Sequence, residues 1–243
     1  GMRENNKIKY SLAGFFMGVA ELIPGISGAT VAVIFKIYPN LMTILSKLRI
    51  KHLSFNLSSL SKTFQFDLLL PLIFSMIAAI ILCSKAINFL LNNYEENFFT
   101  FLGCLMIILS LQIINFFKGI LHQKKLFIFI FLGSSIGFIL GQLDVESENI
   151  SIFYLILSGV LAFSFFLIPG ISGSSMLVVL GIYSPIIGAI ANFNFDILIP
   201  FALGCLISLL LLPRLILSIY SSYEQSLLYL FSGLIASSGF LLL

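Results

Sequence analysis

The six-residue sequence Ile-Pro-Gly-Ile-Ser-Gly occurs twice in this chain, at 23–28 and at 168–173, each time inside a long apolar run. Proline has no backbone N–H to donate, so each copy is expected to break the helix in which it lies. Backbone groups freed at membrane depth are tolerated only where protein or a water-filled cavity satisfies them. The pair therefore predicts two broken helices that line an internal site.

The apolar runs around the two breaks are long enough to place the chain in a membrane. A helix needs roughly 20 apolar residues to cross the bilayer. Only 9% of the residues are charged, against about 25% in a soluble domain, which excludes soluble, disordered, fibrous and nucleic-acid-binding proteins. Full crossings are predicted at 67–91, 98–117, 126–143, 196–219 and 226–243.

The duplication extends beyond the six-residue motif. Ile37-Tyr38 recurs as Ile182-Tyr183 at the same spacing of 145 residues. Further along the spacing is 129 residues, and the matching positions are 66–71 with 195–200, Lys85 with Arg214, Tyr94 with Tyr223, and Glu95 with Glu224. Landmarks that recur in one order indicate an internal repeat.

We predict a first repeat at 1–143 and a second repeat at 144–243, each containing a re-entrant helical hairpin. The hairpins are predicted at 11–38 and 151–190, and a cytoplasmic linker is predicted at 39–66. In this arrangement three crossings separate the hairpins, so the repeats are inverted. The alternative is that each broken segment crosses the membrane fully, which would make the repeats parallel.

The charge distribution favours the re-entrant arrangement, because cytoplasmic loops of membrane proteins carry an excess of Lys and Arg. It places the N-terminus and every Lys and Arg residue except Lys85 at the cytoplasmic side. It also explains the net charge of +3 without nucleic acid as a partner. The predicted fold class is an all-α polytopic membrane protein, with about five full crossings and two re-entrant, Pro-Gly-broken hairpins in inverted repeats. The segment 151–168 is nearly long enough to span, so the spanning alternative stays open.

The two breaks supply the groups that an anionic ligand needs. Serine at a helix start caps the backbone, glycine permits close approach, and free N–H groups at a helix start favour an anion. Two such turns that face each other would form a cradle of phosphate size. The predicted binding residues are Pro24, Gly25, Ser27, Gly28, Thr30, Pro169, Gly170, Ser172, Gly173, Ser174 and Ser175. The alternative is a pair of kinks that only pack helices together.

Three charged residues inside apolar runs are further candidates, because an ionisable residue at membrane depth is a functional candidate by default. Glu21, three residues before Pro24, is predicted to couple transport to a proton or cation. Alternatively, Glu21 caps local backbone or pairs with Lys36. Lys85 and Arg214 are repeat-related and are predicted to receive an anionic headgroup at opposite faces of the membrane. The alternative for both is snorkelling to the interface.

No catalytic centre and no metal site is predicted. The two histidines, His52 and His122, lie in polar linkers, and the three cysteines form no Cys-x-x-Cys pair. No cluster of His, Cys and carboxylate residues has metal-ligand spacing. We therefore expect no cofactor apart from a coupling proton or cation.

The chain resembles a known family at these motifs. The residues similar to the first signature of the PopT-type undecaprenyl-phosphate translocases are Gly14, Met17, Gly18, Glu21, the run Pro24 to Thr30, and Ile37-Tyr38. The residues similar to the second signature are the run Leu167 to Ser174 and the run Leu180 to Tyr183. The resemblance covers nearly the whole chain in order. Glu21 stands where the family has Asp, and Lys36 stands where it has Gly.

The resemblance implies a carrier in the bacterial inner membrane. Such a carrier returns undecaprenyl phosphate from the outer to the cytoplasmic leaflet for reuse in peptidoglycan and other envelope synthesis. Its headgroup would be held between the two turns while its tail stays in membrane lipid, and no oligomeric state is implied.

Two alternatives stay open. An intramembrane polyprenyl-pyrophosphate phosphatase also has Pro-Gly-x-Ser turns, but those turns continue into Arg, where this chain has Gly28-Ala29-Thr30. A small-anion or phosphate transporter is the other alternative, because the same cradle would fit free phosphate.

Overall fold

A computed structural model of the chain describes residues 1–23, 25–49, 56–116, 124–143 and 150–243, and within these ranges the fold is helical without strands. A short 3-10 turn at Lys124–Leu126 precedes α7. In chain order the helices are α1 (Met2–Glu21), α2 (Gly28–Ile34), α3 (Tyr38–Ser46), α4 (Leu57–Thr63), α5 (Phe66–Asn93), α6 (Glu95–Ile113), α7 (Phe127–Gln142), α8 (Ile152–Leu167), α9 (Gly173–Val179), α10 (Tyr183–Ala191) and α11 (Phe195–Leu241).

Four helical segments in the described ranges are long and apolar enough to cross a membrane, namely α5, α6, α7 with its 3-10 turn, and α11. Helix α11 has 47 residues, or about 70 Å at 1.5 Å per residue, which is more than twice the bilayer core. It is broken at Tyr223, where φ is −136° and ψ is 44°. Tyr94, between α5 and α6, has nearly the same angles, −138° and 34°. The two repeat-related tyrosines therefore break the chain alike, and α11 consists of two helices, 195–222 and 224–241, each long enough for one crossing.

Both broken segments fold back on themselves as hairpins. In the first, the Asn40 side chain donates to the Tyr10 hydroxyl, so the end of the hairpin returns to the level of its start. In the second, the Tyr154 hydroxyl donates to the Leu180 carbonyl. From Tyr10 to the turn at its tip, α1 rises about 17 Å, roughly half of a 30 Å bilayer core. A hairpin of this depth is the shape that the predicted re-entrant segment requires, and whether it enters the membrane in that way stays a prediction.

Each hairpin ends in a sharp bend into the next short helix. The bend is 118° between α2 and α3 and 115° between α9 and α10. Helices α3 and α10 have nine residues each and occupy equivalent places directly after the two hairpins. Apart from α4 and α7, which belong to the first repeat alone, the two repeats therefore share an element order as well as a motif.

Glycine contacts between helices recur at the predicted repeat spacing. A Cβ on Gly14 of α1 would lie 2.2 Å from the Leu72 carbonyl oxygen of α5, and a Cβ on Gly159 of α8 would lie 2.2 Å from the Phe201 carbonyl oxygen of α11. Gly159 is the counterpart of Gly14, and Phe201 is the counterpart of Leu72. Small residues let membrane helices approach to backbone contact, and here they do so at matching places in both repeats.

The last helices of the two repeats contact each other reciprocally. Gly103 of α6 lies against the Gly239 carbonyl of α11, and the Ser232 hydroxyl of α11 donates to the Ser110 carbonyl of α6 at 2.8 Å. Ser232 is the counterpart of Gly103 and Gly239 is the counterpart of Ser110. A contact that is repeated with its partners exchanged is the mark of a two-fold axis, so these helices meet about a pseudo-two-fold axis.

Several predicted boundaries need correction. The predicted linker 39–66 contains most of α3 and all of α4, and α3 is buried through Leu41, Met42 and Ile44. These apolar residues pack into the core, so the stretch is not a solvated linker throughout. The predicted hairpin 151–190 ends earlier, at the bend before Tyr183. The predicted segments 196–219 and 226–243 correspond to the two parts of α11 on either side of the break at Tyr223.

The other predicted crossings are close to the observed helices. The prediction 67–91 corresponds to α5, 126–143 corresponds to α7, and 98–117 corresponds to α6, which begins three residues earlier and ends at Ile113. Residue 117 lies outside the described residues.

Lys36 occupies a left-handed backbone position that is glycine in the second repeat. The φ angle is +58° at Lys36 and +71° at Gly181. Each of the two residues follows a short helix. The next residue, Ile37 or Ile182, donates its N–H to the carbonyl five residues earlier at 3.0 Å. This hydrogen bond is typical of a Schellman motif at the end of a helix. The left-handed region costs a residue with a Cβ about 1–2 kcal/mol. The first hairpin therefore carries backbone strain that the second does not.

The helix contacts yield a stability prediction. Changing Gly159→Ala forces a methyl group onto the Phe201 carbonyl and is expected to lower the free energy of unfolding by about 1–3 kcal/mol. The control is Gly188→Ala in α10, where a Cβ meets nothing within 4 Å. There the helical preference of Ala is expected to raise stability by about 0.5–1 kcal/mol. Reversible unfolding in detergent micelles measures both, and equal shifts in the two variants would contradict the close contact.

Candidate functional site

The two Pro-Gly turns line one cavity. It has a volume of about 280 Å³ and is bordered by Gly25 of the first turn and by Gly170 and Ser172 of the second. The remaining walls come from Gly137 and Gly141 of α7, Ser175 and Met176 of α9, and Ser238, Leu241 and Leu242 at the end of the chain. The structure therefore brings both copies of the motif to one place, which we call the paired-turn cavity.

Both turns take the same left-handed conformation at their first glycine. The φ angle is +84° at Gly25 and +95° at Gly170. At Gly170 the neighbouring backbone is also close, since a Cβ there would lie 2.7 Å from the carbonyl carbon of Leu234. Glycine at these two positions is thus required by the turn, and at Gly170 also by packing against the last crossing.

The second turn is held on both sides of Gly170. Its N–H donates to the Thr30 hydroxyl of α2 at 2.9 Å in a buried position. Its carbonyl accepts from the Ser238 hydroxyl of α11. Thr30 is one of the predicted binding residues, and in the structure its oxygen joins the first hairpin to the second turn. Both backbone groups of Gly170 are satisfied, so this turn is fixed in position.

Tyr38 adds a second bridge between the repeats. Its hydroxyl donates to the Leu167 carbonyl at 2.7 Å, its ring packs edge-on against Phe231 at 5.6 Å, and only 1% of its surface is exposed. The repeat counterpart, Tyr183, is 42% exposed. The two tyrosines therefore have different surroundings although they occupy equivalent positions.

Hydroxyl groups cluster at the second turn. Ser172 caps α9 by accepting from the Ser175 N–H at 3.1 Å. Its oxygen lies 2.6 Å from the Ser175 oxygen and 3.2 Å from the Ser174 oxygen. Ser174 is exposed, whereas Ser172 is buried. Three predicted binding residues thus stand together, with two of them, Ser172 and Ser175, in the wall of the paired-turn cavity.

The first turn differs because a carboxylate is already present. The Glu21 side chain accepts from the Gly28 N–H at 3.2 Å, at the start of α2, which is the backbone-capping arrangement. Ser27 accepts from the Ala29 N–H at 3.2 Å. In the second repeat the counterpart of Glu21 is Phe166, whose Cβ lies 3.2 Å from the position of a Cβ on Gly173. The start of α2 therefore carries a carboxylate and the start of α9 carries hydroxyl groups, and Glu21 is not one of the residues that line the paired-turn cavity.

The two predicted cations are not brought to the paired-turn cavity. Arg214 donates to the Ser46 carbonyl at 3.2 Å and to the Leu48 carbonyl at 3.1 Å, so it caps the end of α3. A cation at a helix C-terminus satisfies free carbonyls in this way. Lys85 is exposed on α5. Pro169 is fully buried beside Gly170, and Pro24 lies outside the described residues.

Sequence reasoning missed several residues outside the two motifs that hold the turns in place or form the wall of the cavity. Ser238 and Tyr38 carry no motif that distinguishes them. Gly133, Gly137 and Gly141 do carry a signal, because small residues four apart mark a close helix contact. A Cβ on Gly133 would lie 2.2 Å from the Leu230 carbonyl oxygen. This contact brings α7 against the last crossing and so forms one wall of the cavity.

Among the described residues, no three His, Cys, Asp or Glu side chains come together in a way that could hold a metal ion. Both histidines, His52 and His122, lie outside the described residues.

Comparison with known proteins gives concordant matches over most of the chain. A profile of the family described as "VCA0040-like: Undecaprenyl phosphate translocase-like" matches residues 17–241. A polyprenyl-phosphate transporter of Vibrio cholerae serotype O1 is 28% identical, over 94% of this chain and 75% of that protein. A polyprenyl-phosphate transporter of Staphylococcus aureus is 28% identical, over 94% of this chain and 83% of that protein. No solved structure shows a significant match to the chain.

The bridge between the hairpins gives a second prediction. Changing Thr30→Val keeps the shape of the side chain but leaves the buried Gly170 N–H without its acceptor, which is expected to cost about 1–3 kcal/mol of unfolding free energy. The control is Ser158→Ala, since the buried Ser158 hydroxyl has no hydrogen-bond partner among the described residues. That change is expected to be neutral or slightly stabilising. A Thr30→Val variant as stable as the Ser158→Ala control would contradict the bridge.

Proposed function

The chain belongs to the undecaprenyl phosphate translocase-like family, and on that premise we propose that it carries polyprenyl phosphate across the bacterial inner membrane. The proposed direction is from the outer to the cytoplasmic leaflet. The proposal is supported by two relatives that are named polyprenyl-phosphate transporters and by the membrane character of the fold. Undecaprenyl phosphate is the proposed substrate, and its tail is proposed to stay in membrane lipid.

The observation that carries the proposal is the single cavity lined by both Pro-Gly turns. A phosphate headgroup is polar and must be shielded from hydrocarbon while it crosses. Transporters commonly bind substrate where broken helices of related repeats meet near the middle of the membrane. In this chain the meeting point has hydroxyl groups, tight glycine turns and a volume of about 280 Å³, so the headgroup has room while the polyprenyl tail remains in lipid.

We assign the main headgroup contacts to the second turn. Ser172 and Ser175 present hydroxyl groups that donate to phosphate oxygens, and the exposed Ser174 lies 3.2 Å from Ser172. A hydrogen bond to a charged group contributes about 1.5–3 kcal/mol. Gly25 and Gly170 allow the headgroup to approach the backbone, and Thr30 holds the second turn in place.

Glu21 is the proposed coupling group. When it is ionised, its charge at the start of α2 disfavours a phosphate dianion near the first turn, since like charges at close range repel. When it is protonated, or neutralised by a cation, that repulsion disappears. Uptake of a proton or cation from the outer side would thereby favour loading of the headgroup.

The proposed orientation places the N-terminus in the cytoplasm, by the distribution of Lys and Arg. Lys85 then lies toward the outer side and would attract the headgroup there. Arg214 lies toward the cytoplasmic side, where it would contact a departing headgroup only after leaving the carbonyls of Ser46 and Leu48.

Leaflet exchange in reconstituted vesicles tests the proposal. Undecaprenyl phosphate is added to the outer leaflet, and its movement inward is followed as protection from a water-soluble phosphatase added outside. The double variant Ser172→Ala, Ser175→Ala is expected to slow protein-dependent exchange by about tenfold or more, because it removes two hydrogen bonds to a charged group. The control is Ser151→Ala, which removes a serine cap at the exposed start of α8 and is expected to leave exchange unchanged.

Two further readouts separate the alternatives. Release of phosphate from undecaprenyl pyrophosphate by the purified protein would favour a phosphatase. Uptake of inorganic phosphate at a rate similar to lipid exchange would favour a small-anion transporter. A wild-type protein that exchanges no undecaprenyl phosphate, or a double serine variant that exchanges it normally, would contradict the proposal.

A further inference from the structure

A second cavity lies where the first hairpin, α6 and α11 meet, and its lining is polar. It has a volume of about 380 Å³. Its polar lining residues are Lys36, Tyr38, Gln112, Asn115, Tyr220 and Gln225, together with Glu224. Within the described ranges, Lys36 is the cation of this lining, and it forms no ion pair there. The cavity therefore offers one positive charge and several hydrogen-bonding groups.

A third cavity of about 260 Å³ adjoins the polar one and is apolar. It lies between the first hairpin and α6, where Phe16, Ile23 and Met106 form part of its wall. Ile34 and Leu109 line both cavities. The two cavities are thus neighbours along one cleft, polar at the Lys36 end and apolar toward the tip of the hairpin.

We propose that this cleft is a second binding site for a polyprenyl phosphate, with the headgroup beside Lys36 and the first isoprene units in the apolar cavity. The inference rests on the proposed function and extends it, because the cleft is distinct from the paired-turn cavity. The occupant follows from the lining: a ligand that is anionic at one end and hydrocarbon at the other satisfies both halves. In the proposed orientation the polar end faces the cytoplasm, so the site would receive the lipid after it crosses.

The backbone at Lys36 supports this assignment. The repeat counterpart is Gly181, which takes the left-handed conformation without a side chain to strain it. Strained backbone positions cluster at functional sites, where the role of the residue outweighs the energetic cost of the strain. At Lys36 the retained side chain is the positive charge at the polar end of the cleft.

Glu224 limits how much negative charge the cleft accepts. Its carboxylate accepts from the Tyr220 hydroxyl at 3.3 Å and lines the same polar cavity as Lys36. With one cation and one carboxylate, the cleft is better suited to a single phosphate than to a diphosphate. We therefore expect weaker binding of the diphosphate form of the same lipid.

The test measures binding of farnesyl phosphate, a short soluble analogue, to purified protein in lipid nanodiscs. Lys36→Gly removes the charge and also relieves the backbone strain. We expect it to weaken binding about five- to tenfold while it raises the thermal unfolding temperature, a combination that a merely structural role would not produce. Lys36→Gln should weaken binding equally, and Lys36→Arg should retain it. Lys62→Gln in α4, which removes a charge on the same proposed side, is the control.

A second arm tests the apolar half. Leu105→Trp fills the apolar cavity that Leu105 lines and is expected to weaken farnesyl phosphate binding severalfold while binding of inorganic phosphate is unchanged. Leu211→Trp, at a lipid-exposed position of α11, is the control. Inorganic phosphate that binds as tightly as farnesyl phosphate would overturn the lipid site in favour of a free-anion site.

The outcomes separate this inference from the proposed function. If Lys36→Gly and Lys36→Gln bind farnesyl phosphate as tightly as wild type, the second site is wrong, whether or not the serine variants slow leaflet exchange. If Lys36 controls binding but the wild-type protein exchanges no lipid between leaflets, the second site stands and the proposed transport fails.

Discussion

The hydrogen bond from the Gly170 N–H to the Thr30 hydroxyl joins the two halves of the molecule at the point where both helices are broken. A broken helix within a membrane frees backbone groups that lipid cannot satisfy. Here a hydroxyl group of the first repeat accepts a hydrogen bond from the freed Gly170 N–H of the second repeat. The Ser238 hydroxyl donates to the Gly170 carbonyl. The paired-turn cavity exists because this arrangement brings the second turn against the first hairpin and fixes it there.

The scaffold is nearly symmetric, but the site is not. Helix contacts recur at equivalent places, as at Gly14 and Gly159. At the cavity the equivalent residues behave differently: Thr30 bonds to the opposite turn, whereas its counterpart Ser175 bonds to Ser172 within its own turn. The counterpart of Ser238 is Leu109, which has no hydroxyl to offer the first turn. The duplication therefore accounts for the shared helix arrangement. Differences between equivalent residues make the two turns chemically different.

Much of this was predictable from the sequence, for physical reasons. Proline and glycine inside apolar runs predicted the two breaks, and the matched spacing predicted that the turns are equivalent. The similar backbone angles at Tyr94 and Tyr223 agree with the matched spacing of those two residues. The contacts between repeats were not predictable, because they depend on how the hairpins are placed in space. Arg214 illustrates this. The sequence suggested a contact with the headgroup, whereas in the structure its guanidinium donates to the Ser46 and Leu48 carbonyls at the end of α3. Helix α3 was missed because its short apolar stretch lies among the basic residues of the predicted linker.

The central claim is that a lipid phosphate binds between the two Pro-Gly turns. A structure of the protein in nanodiscs with undecaprenyl phosphate tests it most directly. We expect phosphate density in the paired-turn cavity, within hydrogen-bonding distance of the Ser172 and Ser175 hydroxyls. Lipid phosphate density found only outside that cavity, with both turns enclosed by protein alone, would contradict it.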